Sequence, residues 1–89
     1  DSLELYDIIS DPEDLEEKVI TNLTLKTALN SLDEIERRII DNRYFEGLTQ
    51  MEVAQEFNIS QAQVSRLEKQ ALKNMRKFFK WQKTKKLKL

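Results

Sequence analysis

Two helix-start signals lie eleven positions apart in the C-terminal half of the chain, so a short helix and a tight turn must fit between them. Thr49 with Glu52, and Ser60 with Gln63, each place a hydroxyl at a helix start and a carboxylate or amide three residues later. Such pairs satisfy the free backbone N–H groups of a first helical turn. Asn58 tolerates the left-handed backbone that a sharp turn needs. The spacing predicts a helix-turn-helix unit.

The rest of the chain also favours helices, because it holds one Gly, one Pro and few alternating apolar and polar residues. We predict an all-α domain of four helices without strands. The first begins at Asp11, and the second begins at Asp33, with Glu36 as a reciprocal capping partner, and ends near Phe45. Gly47 stands where a helix often closes on a left-handed residue. The third and fourth helices form the helix-turn-helix unit.

Apolar residues recur at helical spacing in the second and fourth helices, which predicts the faces that these helices bury. The residues predicted to face inward are Ile35, Ile39, Ile40, Val64, Leu67, Ala71, Met75 and Phe78. Between the third and fourth helices, Ala54 is small enough for the two to pass closely, while Val53, Phe57 and Ile59 fill the angle.

The charges divide unevenly along the chain although the net charge is only −1. Residues 1–36 hold 11 acidic and 2 basic side chains, a balance of −9, and residues 37–89 hold 5 acidic and 13 basic side chains, a balance of +8. The basic half suggests a polyanion as its partner, although an uneven solvated surface would have the same composition. We expect residues 1–10 to be a linker and the acidic N-terminal stretch to act as a flexible tether that adds nothing to DNA affinity.

Several functional classes are excluded by composition. The chain has no Cys and no His, so thiol nucleophiles, imidazole bases and zinc-finger ligand sets are absent. We expect no catalytic residue, no metal site and no cofactor. No apolar run approaches the roughly 20 residues of a membrane span, and the acidic start is unlike a secretory signal. With the lack of Cys, this predicts a cytoplasmic protein without a membrane partner.

The outward positions at the start of the fourth helix carry side chains that suit DNA bases. Gln61 can pair with adenine, Arg66 with guanine, Ser65 with several bases, and Ala62 can contact the thymine methyl group. A structural helical hairpin with an ordinary polar surface would have similar spacing, so the pattern alone leaves both interpretations open.

The sequence of residues 31–77 resembles that of a known protein family. The segments ERRIIDNRYF, TQMEVA and ISQAQVSRLE resemble region 4 of the bacterial sigma factors of the sigma-70 family, most of all the sporulation and stress types sigma-F, sigma-G and sigma-B. The resemblance covers residues 24–79. It implies that residues 1–23 are an acidic linker leading from region 3, that 24–79 are the region 4 helix-turn-helix domain, and that 80–89 are a basic tail.

The resemblance also implies a function. Region 4 of the family docks on the flap of the RNA polymerase β subunit and reads the upstream (−35) promoter element in the major groove. The family's base-reading positions correspond here to Gln61, Ala62, Ser65 and Arg66. Primary sigma factors have Arg-Glu in place of Gln61-Ala62 and Arg-Gln in place of Ser65-Arg66, so we expect a different −35 preference.

Further roles follow from the same resemblance. The family's phosphate-contacting positions fall near Arg43, Thr49 and Lys73. For the flap we expect an apolar groove that includes Ile39, Ile40, Tyr44 and Phe45. The alternative is that these side chains belong to the core, which the sequence favours for Ile39 and Phe45. The implied role is transcription initiation at sporulation or stress genes. Two alternatives stay open: an interaction module bound mainly by an anti-sigma factor, and a stand-alone helix-turn-helix regulator.

Overall fold

The computed structural model describes residues 2–9 and 21–87, and within those ranges every regular element is helical. The helices are α1 (Ser2–Ile9), α2 (Thr21–Asn30), α3 (Glu34–Ile40), α4 (Gln50–Phe57) and α5 (Gln61–Leu87), and a π-helical turn at Asp41–Phe45 follows α3. The predicted all-α class is confirmed. The helix start predicted at Asp11 lies outside the described residues.

Helix α3 begins where the sequence predicted, but its second capping bond is not the expected one. The Asp33 side chain accepts a hydrogen bond of 2.9 Å from the Glu36 backbone N–H. The Glu36 carboxylate does not return the bond; it is buried and accepts from Asn74 Nδ2 at 3.2 and 3.4 Å. A local capping box was wrong here because the side chain ties α3 to α5 instead.

Two groups of apolar side chains hold the helices together. The larger one joins α1, α2, the end of α3, the π-helical turn and α5, and consists of Leu5, Ile9, Leu25, Ala28, Leu29, Leu32, Ile40, Tyr44, Ala71 and Met75. The smaller one fills the angle of the helix-turn-helix unit with Ile39, Val53, Ala54 and Val64, against which Leu48, Phe57, Ile59 and Leu67 pack. Helix α5 contributes residues to both groups and therefore connects them.

One apolar residue of α3 and one of the π-helical turn lie outside this core. Ile35 is 40% exposed and Phe45 is 45% exposed. The inward orientation predicted for Ile35 is therefore wrong. Ile35 lies in the first turn of α3, whereas Ile39 and Ile40 lie in its last turn and are fully buried. In the π-helical turn Tyr44 faces inward and Phe45 faces solvent.

The N-terminal segment is helical and packed, which corrects the prediction of a linker over residues 1–10. Leu5 and Ile9 lie one turn apart on one face of α1, and both are fully buried. Arg76 Nη2 donates to the backbone carbonyl of Ile8 at 3.0 Å, so α5 also holds the C-terminal end of α1. The proposed boundary at residue 23 stays a prediction. Among the described helices, none has the length and apolar character that a bilayer crossing requires.

Replacing Leu5 by Ala is expected to release α1 from the domain. Leu5 is one of the two fully buried anchors of this eight-residue helix, and burying a Leu side chain contributes about 1.5–3 kcal/mol, so its loss removes a large part of the attraction that holds α1 in place. Hydrogen exchange should show faster exchange in α1 while α3 to α5 keep their protection. Asp7→Ala, at an exposed position of the same helix, is the control. Unchanged exchange in α1 of the Leu5→Ala chain would contradict the anchoring role.

Candidate nucleic-acid interface

The turn between α4 and α5 has the conformation that Asn58 predicted. Asn58 adopts φ 58° and ψ 45°, and its backbone N–H donates to the carbonyls of the last turn of α4. The Ile59 N–H donates to the Ala54 carbonyl at 3.0 Å. Helix α4 therefore ends at Phe57, and α5 begins at Gln61 in a new direction. The predicted helix-turn-helix unit is confirmed.

Both predicted capping pairs are also confirmed. The Thr49 hydroxyl accepts from the Glu52 N–H at 3.1 Å, and the Glu52 carboxylate accepts from the Thr49 N–H at 2.9 Å. Ser60 and Gln63 make the same pair at 3.1 and 3.0 Å at the start of α5. The bonds from Thr49 lower the pKa of Glu52, so this cap is intact at neutral pH and weakens as the pH falls through that lowered value.

The predicted base-reading side chains lie together at the start of α5. Gln61, Ala62 and Arg66 are exposed, Ser65 is half-buried, and the neighbouring Val64 is fully buried in the angle of the unit. Gln63 is exposed, but its amide oxygen is engaged in the cap. The first two turns of α5 thus present one polar face, with its apolar side turned toward α4.

The residues predicted to contact phosphate differ in their availability. Thr49 and Lys73 are exposed. Arg43 is half-buried, and two of its nitrogens donate inside the protein: Nε to Glu68 Oε1 at 2.8 Å and Nη1 to the Leu48 carbonyl at 2.7 Å. A phosphate contact by Arg43 stays a prediction, and the structural role of its guanidinium is one that the sequence analysis missed.

Glu68 is the centre of a buried polar network. Only 7% of it is exposed, and its carboxylate accepts from Arg43, from Tyr44 Oη at 3.2 Å and from Gln50 Nε2 at 3.2 Å. Burial, together with the charge of Glu68 and the hydrogen bond to it, raises the pKa of Tyr44 to about 12, so the phenol stays a donor at neutral pH. The sequence analysis missed this site, although Glu68 is the only acidic residue after position 60.

The position of Glu68 also excludes the interpretation that Arg66 is a surface residue paired with it. An Arg66–Glu68 ion pair is not formed, because two positions along a helix correspond to about 200° of rotation, and Glu68 faces the interior. The exposed cations Arg66, Lys69, Lys73, Lys77 and Lys80 instead recur every three or four residues along one side of α5. The basic half of the chain therefore has its charge concentrated on the helix that carries the predicted base-reading residues.

An open cleft of about 480 Å³ lies between α3 and α4. It is lined by Glu34, Ile35, Arg38, Glu56 and Phe57, and the Arg38 guanidinium lies 4.6 Å from the centre of the Phe57 ring. The predicted apolar groove was wrong in its residues. Three of the four, Ile39, Ile40 and Tyr44, are buried in the core because the domain is small and needs them for packing.

Comparison with known proteins decides the family. The profile described as "Sigma-70, region 4" matches residues 28–77, which is more than half of the chain. The chain belongs to the sigma-70 region 4 family. The resemblance expected from the helix-turn-helix motifs is thereby confirmed.

The similarity of this region 4 domain to individual sigma factors extends beyond the profile. It is 49% identical over 78 residues to the RNA polymerase sigma-G factor of Clostridium acetobutylicum, covering 88% of this chain and 30% of that protein. It is 45% identical over 76 residues to the sigma-F factor of Bacillus subtilis, covering 85% and 29%. It is 38% identical over 72 residues to the sigma-B factor of the same organism, covering 81% and 28%. The expected subgroup is confirmed.

These relatives are much longer than the chain, which spans about 30% of the length of the sigma-G relative. No solved structure matches the chain significantly. The assignment to region 4 therefore rests on sequence similarity.

Proposed function

We propose that this region 4 domain reads a −35 promoter element with the first two turns of α5 and directs transcription initiation while it is bound to RNA polymerase. One observation carries the proposal: Gln61, Ala62 and Arg66 are exposed together directly after the helix-turn-helix turn, with Ser65 half-buried beside them. Helix-turn-helix proteins insert this part of the second helix into the major groove.

Each of these side chains has a defined chemistry toward base edges. Arg66 suits the two acceptors of guanine, Gln61 suits the donor and acceptor of adenine, and Ala62 suits the thymine methyl group. The hydroxyl of Ser65 hydrogen-bonds to several bases and so adds little selectivity. We assign Thr49 and Lys73 to phosphate contacts, because both are exposed on the elements that carry or precede the reading helix.

We further propose that the cleft between α3 and α4 receives the tip of the polymerase β flap. The exposed side chain of Ile35 and the half-buried ring of Phe57 supply its apolar surface, and Glu34 and Glu56 supply acidic groups at its edge. The relatives are RNA polymerase sigma factors, which supports a polymerase partner for this chain. We extend the proposal to regulation: an anti-sigma factor that covers this cleft would block docking.

The proposal about DNA is tested by selection from a random duplex library. The full chain, bound to RNA polymerase core, should enrich a short recurring motif, because four neighbouring side chains on one helical face contact only a few successive base pairs. We expect the genes carrying that motif to be of the sporulation type, since the sigma-G and sigma-F relatives are the more similar ones. Enrichment no greater than with polymerase core alone would reject −35 reading.

Replacing Ile35 by Ala is expected to weaken binding of the isolated β flap domain about fivefold or more, because truncating a central apolar contact of an interface commonly costs above about 1 kcal/mol. The affinity is measured by titrating the flap domain with the full chain. Met51→Ala is the matched control, since Met51 is 60% exposed and lies outside the cleft. Equal flap affinities for wild type and the Ile35→Ala chain would show that docking uses another surface.

A further inference from the structure

We propose that Glu68 is a positioning residue for DNA reading: its buried carboxylate fixes the rotation of α5 about its own axis and so determines which side chains face the bases. This inference rests on the proposed reading of the −35 element by the start of α5. Glu68 lies in α5 itself, two residues after Arg66, and does not face the DNA side.

The contacts of Glu68 come from two different elements, which is what fixing a rotation requires. Arg43 and Tyr44 approach from the π-helical turn, and Gln50 approaches from the first turn of α4. Arg43 is itself held by its bond to the Leu48 carbonyl, so the donor side of the network is anchored. The three hydrogen bonds therefore relate α5 to both of the segments that precede it.

The apolar contacts of α5 restrict this rotation less sharply than directed hydrogen bonds do. Hydrophobic packing has no preferred direction, and the buried residues on this side of α5 include the small Ala71 and the adaptable Met75. Hydrogen bonds lose most of their energy when they bend or stretch, so a carboxylate with three donors resists rotation. A charge-assisted bond from Arg43 adds further strength.

A small rotation of α5 displaces its surface side chains by more than a hydrogen bond to a base tolerates. With its side chains an α-helix has a radius of about 5–6 Å, so a rotation of about 20° displaces a surface group by about 2 Å. A hydrogen bond tolerates only a few tenths of an ångström around its preferred length. Because Arg66 lies about 200° around the helix from Glu68, the anchor and the reading side chain are on opposite sides of the same turn.

The test uses the full chain bound to polymerase core and measures the ratio of its affinity for the selected −35 duplex to its affinity for a scrambled duplex. We expect Glu68→Gln to lower this ratio about tenfold, in line with the loss of one good bidentate base contact, and to leave the affinity for scrambled DNA unchanged. A merely structural role would lower the melting temperature and both affinities together, and the ratio would not move.

A milder variant keeps the test decisive if Glu68→Gln does not fold. Gln50→Ala removes one of the three donors from a half-buried position and should lower the ratio by a smaller factor, while Gln55→Ala, the same substitution at an exposed position of α4, should not change it. An unchanged ratio in a folded Glu68→Gln chain, or in Gln50→Ala when the first variant is unfolded, overturns the proposal. A wild-type ratio of one rejects −35 reading itself, and the role of Glu68 with it.

Discussion

Replacing Ile39 by Ala is expected to lower the free energy of unfolding by about 2–5 kcal/mol, the usual cost of truncating a fully buried Ile. Ile39 is completely buried in the angle of the helix-turn-helix unit, where Val53 and Val64 surround it. Small domains are stable by only about 5–15 kcal/mol, so this loss is a large fraction of the total. The cavity would open where α3 supports the reading unit, so DNA binding should fall with the folded fraction.

Ile35→Ala is the matched control for that measurement. It changes the same residue type one turn earlier in the same helix, but at a position that is 40% exposed, so the cost should stay below about 1 kcal/mol. Urea denaturation followed by circular dichroism gives both values. Equal losses for the two variants would show that the α3 face assigned to the core is wrong.

Replacing Arg66 by Ala is expected to weaken promoter binding by about 1–3 kcal/mol and to relax the preference at one base pair. Arg66 is exposed in the second turn of α5, and the acidic residue nearest to it in sequence, Glu68, is bound to Arg43 instead. Its guanidinium is therefore not held by that carboxylate. The measurement is promoter selection by the folded variant in complex with polymerase.

Lys73→Ala provides the contrasting control for Arg66. Lys73 lies seven residues further along the same side of α5, beyond the turns that enter the groove. Its loss should weaken binding to all sequences and reduce the slope of log affinity against log salt by about 1. If the folded Arg66→Ala protein keeps the wild-type preference at every −35 position, Arg66 does not read sequence and its assignment is wrong.

The local features of the domain were predictable from the sequence because residues within a few positions of one another form them. Thr49 with Glu52 and Ser60 with Gln63 close their capping bonds across three residues, and Asn58 adopts the left-handed conformation through its own backbone. The short-range chemistry of these residues is enough to place the start of α5, and with it the exposed base-reading side chains.

The partners that lie far apart in sequence were decided only by the tertiary structure. Glu36 was expected to cap its own helix, yet it bonds to Asn74, which is 38 positions away. Arg43 pairs with Glu68, 25 positions away, a partner that the sequence analysis did not indicate, and its phosphate contact stays a prediction. Both side chains are polar and shielded from water, so each needs a hydrogen-bond partner inside the protein. Which residue is that partner depends on how the helices cross.

Which apolar side chains are buried was also decided only by the tertiary structure. Helical spacing indicated that α3 has an apolar side, but Ile35, Ile39 and Ile40 all fit it, and only the packing of α5 left Ile35 exposed beside the cleft. Leu5 and Ile9 lie one turn apart in an acidic segment. Only the packing of α1 against α2 and α5 shows that both are buried. The sequence by itself determined where α3, α4 and α5 begin and the turn between the last two. The tertiary structure decided which side chains enter the core, because the hydrophobic effect has no direction and acts on whichever apolar surfaces the crossing helices bring together.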